Sequence, residues 1–406
     1  ASDVYKRQLL SLLYEEDTMS LCDVFDKKVE KYANTAYVLN REIANDPELS
    51  GEEFHAVARH VAACRNVGMP VEEQFNGQPT AYKAQALAPE KPAFRVALLA
   101  EYDALPGVGH GCGHSAGGAV SYLAAAAFHD MTDVPIQVDL FGTPDEELRG
   151  GKVPMCEQGI FKQYDFAMMV HMASNTSTPN SSFLALDDYR IRFHGKTAHA
   201  AQHPWEGKNA LNGAMLALHA IDMLRQHILP DSRIGTYIVN GGEASNIIPD
   251  YAEIECCIRH TKRSYLNTLV PRIMNCIKGA AIATETTYDV EQMGYKYDDL
   301  VWNETATNVV RQVMHEMGIP FQNPSTSGSS DIANISHQCP VIHAHLAMGD
   351  TFYPDHSIEI ANLVKNPAIN DVIARGAKLI GHTVLTLWQQ PETRTAMAEE
   401  FSKSDI

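Results

Sequence analysis

The chain of 406 residues lacks any long apolar run, and it also lacks clusters of positive charge. A helix that crosses a bilayer needs about 20 consecutive apolar residues, and no stretch of this sequence approaches that length. Acidic residues outnumber basic ones by 50 to 32, so the formal net charge is -18, and no run of Lys or Arg offsets it locally. Such a surface repels nucleic acid and anionic membranes. We therefore expect neither a nucleic-acid partner nor a membrane partner.

The sequence also lacks paired cysteine motifs. Its eight cysteines are scattered, and none forms a C-x-x-C pair. Near the start, LLSLLY is short for a signal sequence and is followed at once by the acidic EED. Reduced, buried thiols are the expectation for such a chain, which predicts a cytoplasmic protein.

What is present is an ordinary globular composition with 45% hydrophobic and 20% charged residues, in a chain long enough for two domains. Short apolar runs alternate with helical patterns: strands are predicted in FRVALLA, PIQVDLF and YDFAMMVHM, and a tightly packed helix in HSAGGAVSYLAAAAFHD. Polar or titratable residues stand at the ends of these strands. The alternation indicates an α/β sheet with its site at the carboxyl ends of the strands.

The pattern changes near residue 186. From there to about residue 296 the order is strand, helix, two strands, helix and strand, which is the order of a ferredoxin-like α+β unit. The α/β pattern then resumes and runs to a long helix near the end. We predict a discontinuous catalytic domain over residues 9–185 and 297–406, with an inserted domain over residues 186–296.

Residues 109–118, GHGCGHSAGG, fit two kinds of chemistry. Residues 113–117 match the G-x-S-x-G pattern of serine hydrolases, in which Ser115 would be the nucleophile. Cys112 and His114 instead offer the sulfur and nitrogen ligands of a metal site. The oxyanion loop of the HGGG type that a serine hydrolase needs is missing from the sequence before Ser115. The metal interpretation is therefore favoured.

Other strand ends carry further candidates. Glu146 and Glu147 follow PIQVDLFG, His171 ends the next strand, and His356 stands in FYPDHSIE. Of two adjacent carboxylates, one can bind a metal ion while its neighbour deprotonates a water molecule. The potential ligands are Cys112, His114, Glu147, His171 and His356. Two zinc-like ions that share a bridging ligand need about that many protein groups.

Several of these segments belong to an ordered series. EYDALPG, GHGCGH, TPDEE, GGK, VH, HGKTAHAA, NIIPD and HSIE occur in an order that resembles the zinc-dependent aminoacylase and carboxypeptidase superfamily. Within it, the chain is most similar to aminobenzoyl-glutamate hydrolases, plant indole-acetyl-amino-acid hydrolases and amidohydrolases of small dipeptides. The resemblance covers residues from about 20 to 390. It implies a mixed-sheet α/β catalytic domain with a di-metal centre and an inserted ferredoxin-like α+β lid and dimerisation domain.

The resemblance also implies roles for individual residues. The five potential ligands would hold two divalent ions, which the Cys, His and Glu mixture suggests are Zn²⁺, although Mn²⁺ or Co²⁺ supports the same geometry. Glu146 would be the general base, and Asp103 of EYDALPG would orient the site. His199 would stabilise the oxyanion in the partner subunit of a homodimer formed through the inserted domain. Asn246 and Arg259 would contact a substrate carboxylate, a task that suits the planar fork of Arg.

One position departs from the family pattern. The family usually has Asp or Asn after the Cys-Gly-His triplet, where this chain has Ser115. A shorter side chain there weakens support for the metal-binding loop unless water replaces it. Two alternatives therefore stay open: a non-catalytic or weakly metal-binding family member, and, more remotely, a serine hydrolase that uses Ser115.

The sequence as a whole predicts a metal-dependent hydrolase. Its small-molecule substrate would be an N-acyl or N-aminoacyl amino acid with a free carboxylate, such as an aryl-amide glutamate conjugate or a small dipeptide. A metal-activated water would cleave the amide bond. The segment GSSDIANIS of residues 328–336 resembles a family segment near the site, so its hydroxyl groups and Asp331 either line the pocket or cap a helix, and helix capping is the favoured prediction.

Overall fold

The computed structural model describes residues 19–132, 134–325 and 328–404, and these residues form two β-sheets with helices packed on them. Residues 9–18 of the predicted catalytic domain lie outside the described residues. The strands are β1 (Val71–Glu73), β2 (Tyr82–Leu87), β3 (Phe94–Ala100), β4 (Ile136–Gly142), β5 (Phe166–Ala173), β6 (Ala185–His194), β7 (Arg233–Asn240), β8 (Tyr251–His260), β9 (Thr287–Gln292) and β10 (Val341–Ala347). The helices are α1 (Leu21–Asn45), α2 (Phe54–Asn66), α3 (His114–His129), α4 (Lys152–Glu157), α5 (Ala210–Leu224), α6 (Arg263–Ala283), α7 (Glu304–Glu316), α8 (Ile332–Ser336), α9 (Ile358–Leu363), α10 (Ile369–Gln389) and α11 (Pro391–Ser402).

The larger sheet has six strands in the order β1-β2-β4-β3-β5-β10. Strands β3, β4, β5 and β10 run parallel, whereas β1 and β2 pair antiparallel. The parallel strands are almost continuously apolar, because helices cover both faces of a parallel sheet. This arrangement confirms the predicted α/β class with a mixed sheet.

Helix α3 lies closer to this sheet than larger side chains would allow. A Cβ atom at Gly118 would stand 2.5 Å from the main-chain oxygen of Glu101, at the end of β3. All residues of α3 from His114 to Phe128 are buried, and the helix packs against α1 and α10 on its other side. The small residues of the sequence therefore place the first turn of α3 directly beside the carboxyl end of β3.

The smaller sheet has four antiparallel strands in the order β7-β8-β6-β9, covered by α5 and α6. In β8, alternate residues from Ala252 to Ile258 are buried in a core shared with both helices, and the residues between them face the other side. Along the chain the elements follow the order β6-α5-β7-β8-α6-β9. The domain boundaries and the role of this unit as a lid and dimerisation domain stay predictions.

The sequence also predicted that no helix spans a membrane and that the cysteines are reduced. None of the helices in the described part of the chain is both long and apolar enough to cross a membrane. All eight cysteines are free thiols, but only four of them are buried: Cys64, Cys156, Cys256 and Cys339.

Candidate metal centre and substrate cavity

A cavity of about 540 Å³ opens at the carboxyl ends of the parallel strands. Its walls come from the loops after β3 and β4, from β5 and β10, and from β6 and β8 of the smaller sheet. Six residues selected from the sequence line it: Cys112, Glu146, Glu147, His171, Arg259 and His356. The position agrees with the general location of ligand sites in α/β sheets.

Asp103 connects two of the site segments. Its Oδ1 accepts a hydrogen bond from His114 Nδ1 at 2.9 Å, and its Oδ2 accepts from Ser50 Oγ at 2.8 Å and from the main-chain N–H of Glu147 at 2.9 Å. Burial opposes ionisation, but the neighbouring His114 and these hydrogen bonds hold the pKa of Asp103 below its usual value. Because Nδ1 of His114 is occupied, its Nε2 is the ring nitrogen that can bind a ligand.

The loop after β4 carries the carboxylate pair. Asp145 has a left-handed backbone with φ of +64°, and its N–H donates to Glu53 Oε1 at 2.8 Å. The next two side chains, Glu146 and Glu147, face the cavity. Burial raises the pKa of Glu146 well above its usual value, and the charges of Glu101 and neighbouring carboxylates raise it further. Glu146 is therefore suited to accept and hold a proton.

Candidate ligand atoms converge in four groups of three; two of these groups include Glu146, and the other two have no residue in common. The buried triad consists of Glu101 and His114, which are buried, and His171, which is half-buried, and its ligand atoms lie within 4.8 Å of one another. His171 Nδ1 donates to the main-chain oxygen of Met172 at 2.7 Å, which leaves its Nε2 for a ligand. The two histidine rings lie edge to face, with their centroids 5.4 Å apart.

The outer triad consists of Cys112, Glu147 and His356, whose ligand atoms also lie within 4.8 Å of one another. His356 Nε2 is 3.7 Å from Glu147 Oε2, and the His356 side chain is 59% exposed. Its backbone is left-handed, with φ of +62°, and its N–H donates to the oxygen of Gly111 at 3.2 Å. The other oxygen of Glu147, Oε1, is buried and has no hydrogen-bond partner among the described residues.

The structure corrects the predicted role of Asp331. Its carboxylate makes no capping hydrogen bond to α8. Instead, Oδ1 lies 2.5 Å from Lys152 Nζ, and Oδ2 accepts from the Lys152 N–H at 2.9 Å. Lys152 is fully buried, and a second ion pair joins its Nζ to Glu101 Oε1 at 2.6 Å. A buried ammonium needs paired anions, and this requirement outweighs a helix cap.

Ser115 is buried at the start of α3. Its Oγ has no hydrogen-bond partner in the part of the chain that the structure describes. A serine nucleophile needs a base within hydrogen-bond distance. The geometry therefore gives no support to Ser115 as a nucleophile and agrees with its assignment as a neighbour of the metal ligands.

Two opposite charges line the side of the cavity formed by the smaller sheet. Asp188 and Arg259 project from the same face, because Arg259 is paired with Leu186, two residues before Asp188. Arg259 Nη1 donates to Ser329 Oγ at 3.3 Å, and no described carboxylate lies within 4.0 Å of its guanidinium. Asp188 Oδ1 is buried without a described partner, and burial raises the pKa of this carboxyl. Both charges are thus available to a ligand.

His199 and Asn246 are placed elsewhere. Both are exposed, and neither is among the described residues that line the cavity. His199 Nδ1 accepts from the N–H groups of Ala201 and Gln202 at 3.2 Å, and the main chain of His199 pairs with Ile247. The structure of a single chain does not bring these two residues to the metal centre, and their roles stay predictions.

Several residues of the site were not predicted from the sequence. His343 and His345 of β10 line the cavity, and their ring centroids lie 5.3 and 5.2 Å from that of His171. Burial lowers the pKa of His345 to about 3, so this ring is neutral at pH 7. The alternating histidines of VIHAHLAMG were the available signal, since residues two apart in a strand share a face. Glu101 stood in the quoted EYDALPG but was not selected.

The chain is similar to several known proteins. Residues 97–385 match the model of Peptidase family M20/M25/M40. Xaa-Arg dipeptidase of Mus musculus is 32% identical over 396 residues, which is 92% of this chain and 90% of that protein. One of the subunits of p-aminobenzoyl-glutamate hydrolase from Escherichia coli (strain K12) is 29% identical over 322 residues, covering 74% of this chain and 65% of that protein. A dinuclear metal binding peptidase from Bacillus subtilis has the same fold, with a TM-score of 0.69 at 15% identity over 89% of this chain and 99% of its own.

Proposed function

The chain belongs to the peptidase family M20/M25/M40, and on that premise we propose that it hydrolyses the amide bond of an N-acyl or N-aminoacyl amino acid with two divalent metal ions. Family membership confirms the resemblance drawn from the motifs and, with it, the predicted class of metallo-amidohydrolase. One observation carries the proposal: two triads of ligand atoms converge beside Glu146, whose pKa is raised, and residues of both triads line the cavity.

The side chains present fit divalent ions. Cys, His and Glu are the donors that Zn²⁺ prefers, and Mn²⁺ or Co²⁺ accepts much of the same set. Glu147 Oε1 is buried and has no described hydrogen-bond partner, so it is free to bind an ion. His114 and His171 each use Nδ1 in a hydrogen bond and keep Nε2 free, as histidines that bind metals commonly do. The proposed ligands are those predicted from the sequence: Cys112, His114, Glu147, His171 and His356. When bound, the ions would polarise the substrate carbonyl and make water more acidic.

The chain's own residues would then move the proton. The carboxylate of Glu146 takes a proton from the attacking water and returns it to the leaving nitrogen. Its raised pKa lets it hold the proton between these two steps. Asp103 keeps His114 in the tautomer with a free Nε2. His199 would act on the oxyanion in the partner subunit, and Asn246 with Arg259 would contact the substrate carboxylate.

The cavity charges favour one substrate class within this reaction. Arg259 can bind the free carboxylate of the leaving amino acid, and Asp188, on the same face, can bind a cationic side chain. The similar mouse protein is an Xaa-Arg dipeptidase, which agrees with such a pair. We therefore favour dipeptides that end in a basic residue over aryl-amide glutamate conjugates.

Homodimerisation through the inserted domain is part of the proposal. Strand β7 is at the edge of its sheet and exposes Tyr237, Ile238 and Val239. An apolar edge strand of this kind is commonly covered by another chain. Sedimentation in solution tests this part, and the mass of a single chain would contradict it.

The experiment that tests the function is a panel of N-acyl amino acids, glutamate conjugates and dipeptides, assayed for release of the free amino acid. Release is expected from at least one compound, to be abolished by a chelator, and to return with Zn²⁺, Mn²⁺ or Co²⁺. The control Ser115→Ala should keep full activity. Release that survives chelation but is lost in Ser115→Ala would contradict the proposal and favour a serine hydrolase. No release with any of the metals would favour a non-catalytic protein.

Two substitutions test the cavity charges. Arg259→Ala removes a charge-assisted hydrogen bond, which is worth about 1.5–3 kcal/mol, so KM should rise about 10- to 100-fold for every substrate with a free carboxylate. Asp188→Asn should raise KM for a dipeptide ending in Arg and leave that for one ending in Gln nearly unchanged. Steady-state kinetics on both dipeptides and on their carboxyl-amidated forms measures these changes in KM.

Each of these two substitutions has an outcome that would contradict the role proposed for its residue. If Arg259→Ala weakens amidated and free substrates equally, Arg259 is not the carboxylate anchor. If Asp188→Asn affects Arg and Gln dipeptides alike, the preference for a basic residue is wrong, although amide hydrolysis itself would stand.

A further inference from the structure

We infer that Glu101 is a sixth protein ligand of the metal centre: one carboxylate oxygen binds the ion of the buried triad while Lys152 holds the other. The motif resemblance assigns no role to Glu101. The inference rests on the proposed function, because it presupposes a two-ion centre.

The distance between Glu101 and His114 is the first support for this inference. Glu101 Oε2 lies 3.4 Å from His114 Nε2, which is longer than a usual N–H···O hydrogen bond. Two ligands bound at about 2.0–2.1 Å to one tetrahedral ion stand about 3.3–3.4 Å apart. The gap between these two atoms is therefore that of two groups sharing an ion.

The kinds of ligand atom in the buried triad are the second support. Both histidines of the buried triad use Nδ1 in hydrogen bonds to protein oxygens, so each has Nε2 left for a ligand. Two histidines and one glutamate are the ligands of the catalytic zinc in thermolysin and carboxypeptidase A, with the fourth position open for water. Without Glu101, the buried triad has only two protein ligands of its own.

Lys152 holds the other carboxylate oxygen of Glu101. Its Nζ contacts Glu101 Oε1 at 2.6 Å, while the opposite oxygen, Oε2, points to His114. The ammonium also contacts Asp331, so it stays paired whether or not Glu101 binds an ion. A carboxylate held in this way is already oriented toward its ion, as carboxylate ligands with hydrogen-bonded second oxygens commonly are. With Glu101 included, the buried triad and the outer triad would each offer three protein ligands.

Metal content tests the inference directly. After dialysis against a low concentration of Zn²⁺, elemental analysis should find two ions per chain in the wild type and one in Glu101→Ala. Asp188→Asn, a carboxylate-to-amide change on the same cavity, is the matched control and should keep two. In protein loaded with Co²⁺, the charge-transfer band of the Cys112 thiolate should persist in Glu101→Ala, because the outer triad is intact.

A second variant separates a ligand from a supporting residue. Glu101→Gln keeps an acceptor for Lys152, so it preserves the packing if Glu101→Ala fails to fold. Loss of a residue that only supports a ligand costs about 10- to 100-fold in metal affinity. Glu101→Gln should weaken binding of the second ion by more than that range, measured by competition with a chromophoric chelator.

The outcomes are distinct. A wild type with two ions and Glu101 variants that keep both, or that lose affinity only within the supporting range, would overturn the role of Glu101 and leave the proposed function standing. A wild type that binds fewer than two ions would remove the two-ion premise, and the inference with it.

Discussion

Replacement of Glu146 by glutamine is expected to lower kcat by at least about 10²–10⁴-fold, the usual contribution of a positioned general acid or base. The amide cannot take a proton from water, whereas its size and polarity let it keep the place of the carboxylate in the cavity. Because Glu146 is not one of the proposed ligands, the metal content should stay at the wild-type value. Steady-state kinetics and elemental analysis of the same sample measure both quantities.

Two comparisons make this result specific. Glu157→Gln makes the same change at an exposed position on α4 and should leave kcat unaltered. Glu147→Gln changes a proposed ligand, so it should lose metal together with activity. A fall in kcat of less than about 10-fold in Glu146→Gln, with metal retained, would remove Glu146 from the role of base.

Replacement of Lys152 by methionine is expected to lower the free energy of unfolding by about 3–5 kcal/mol, the usual cost of removing one partner from a buried ion pair. Lys152 is fully buried between Glu101 and Asp331, and methionine fills a similar volume without a charge. The loss therefore reports the two carboxylates left without a cation. Urea unfolding of the metal-free protein, followed by circular dichroism, measures it.

The control is Lys31→Met, which removes a lysine from the ion pair with Asp130 at the surface. Solvent screens that pair, so only a small change in stability is expected. If Lys152→Met proved as mild as Lys31→Met, the buried carboxylates would have taken up protons, and the ion pairs would not be what stabilises this part of the centre.

The features that the sequence made predictable were local ones. The apolar runs and the polar residues that follow them indicated the parallel strands and the end of the sheet at which the cavity opens. Glu146, Glu147 and His171 were found because each stands next to such a run, and Cys112 and His114 because they are close together in the chain. In all of these cases the chemical signal and the structural signal lie within a few residues of each other.

The residues that were missed depend on contacts between distant parts of the chain. Lys152 and Asp331 are separated by 179 positions, so nothing near either of them shows that they pair. Asp331 has the residue type and the position of a helix cap, and only the burial of Lys152 reverses that expectation. Glu101 resembled a strand-end carboxylate like many others until His114 and Lys152 were placed on either side of it.

The close approach of Gly118 to the end of β3 has a consequence for metal uptake. Because the main chain of α3 lies against the main-chain oxygen of Glu101 there, the backbone limits how far apart His114 and Glu101 can stand. The hydrogen bonds of Asp103 and the ion pair of Lys152 fix the two side chains as well. The buried triad is thus preorganised: its groups lose little conformational entropy when an ion arrives, so more of the coordination energy appears as affinity.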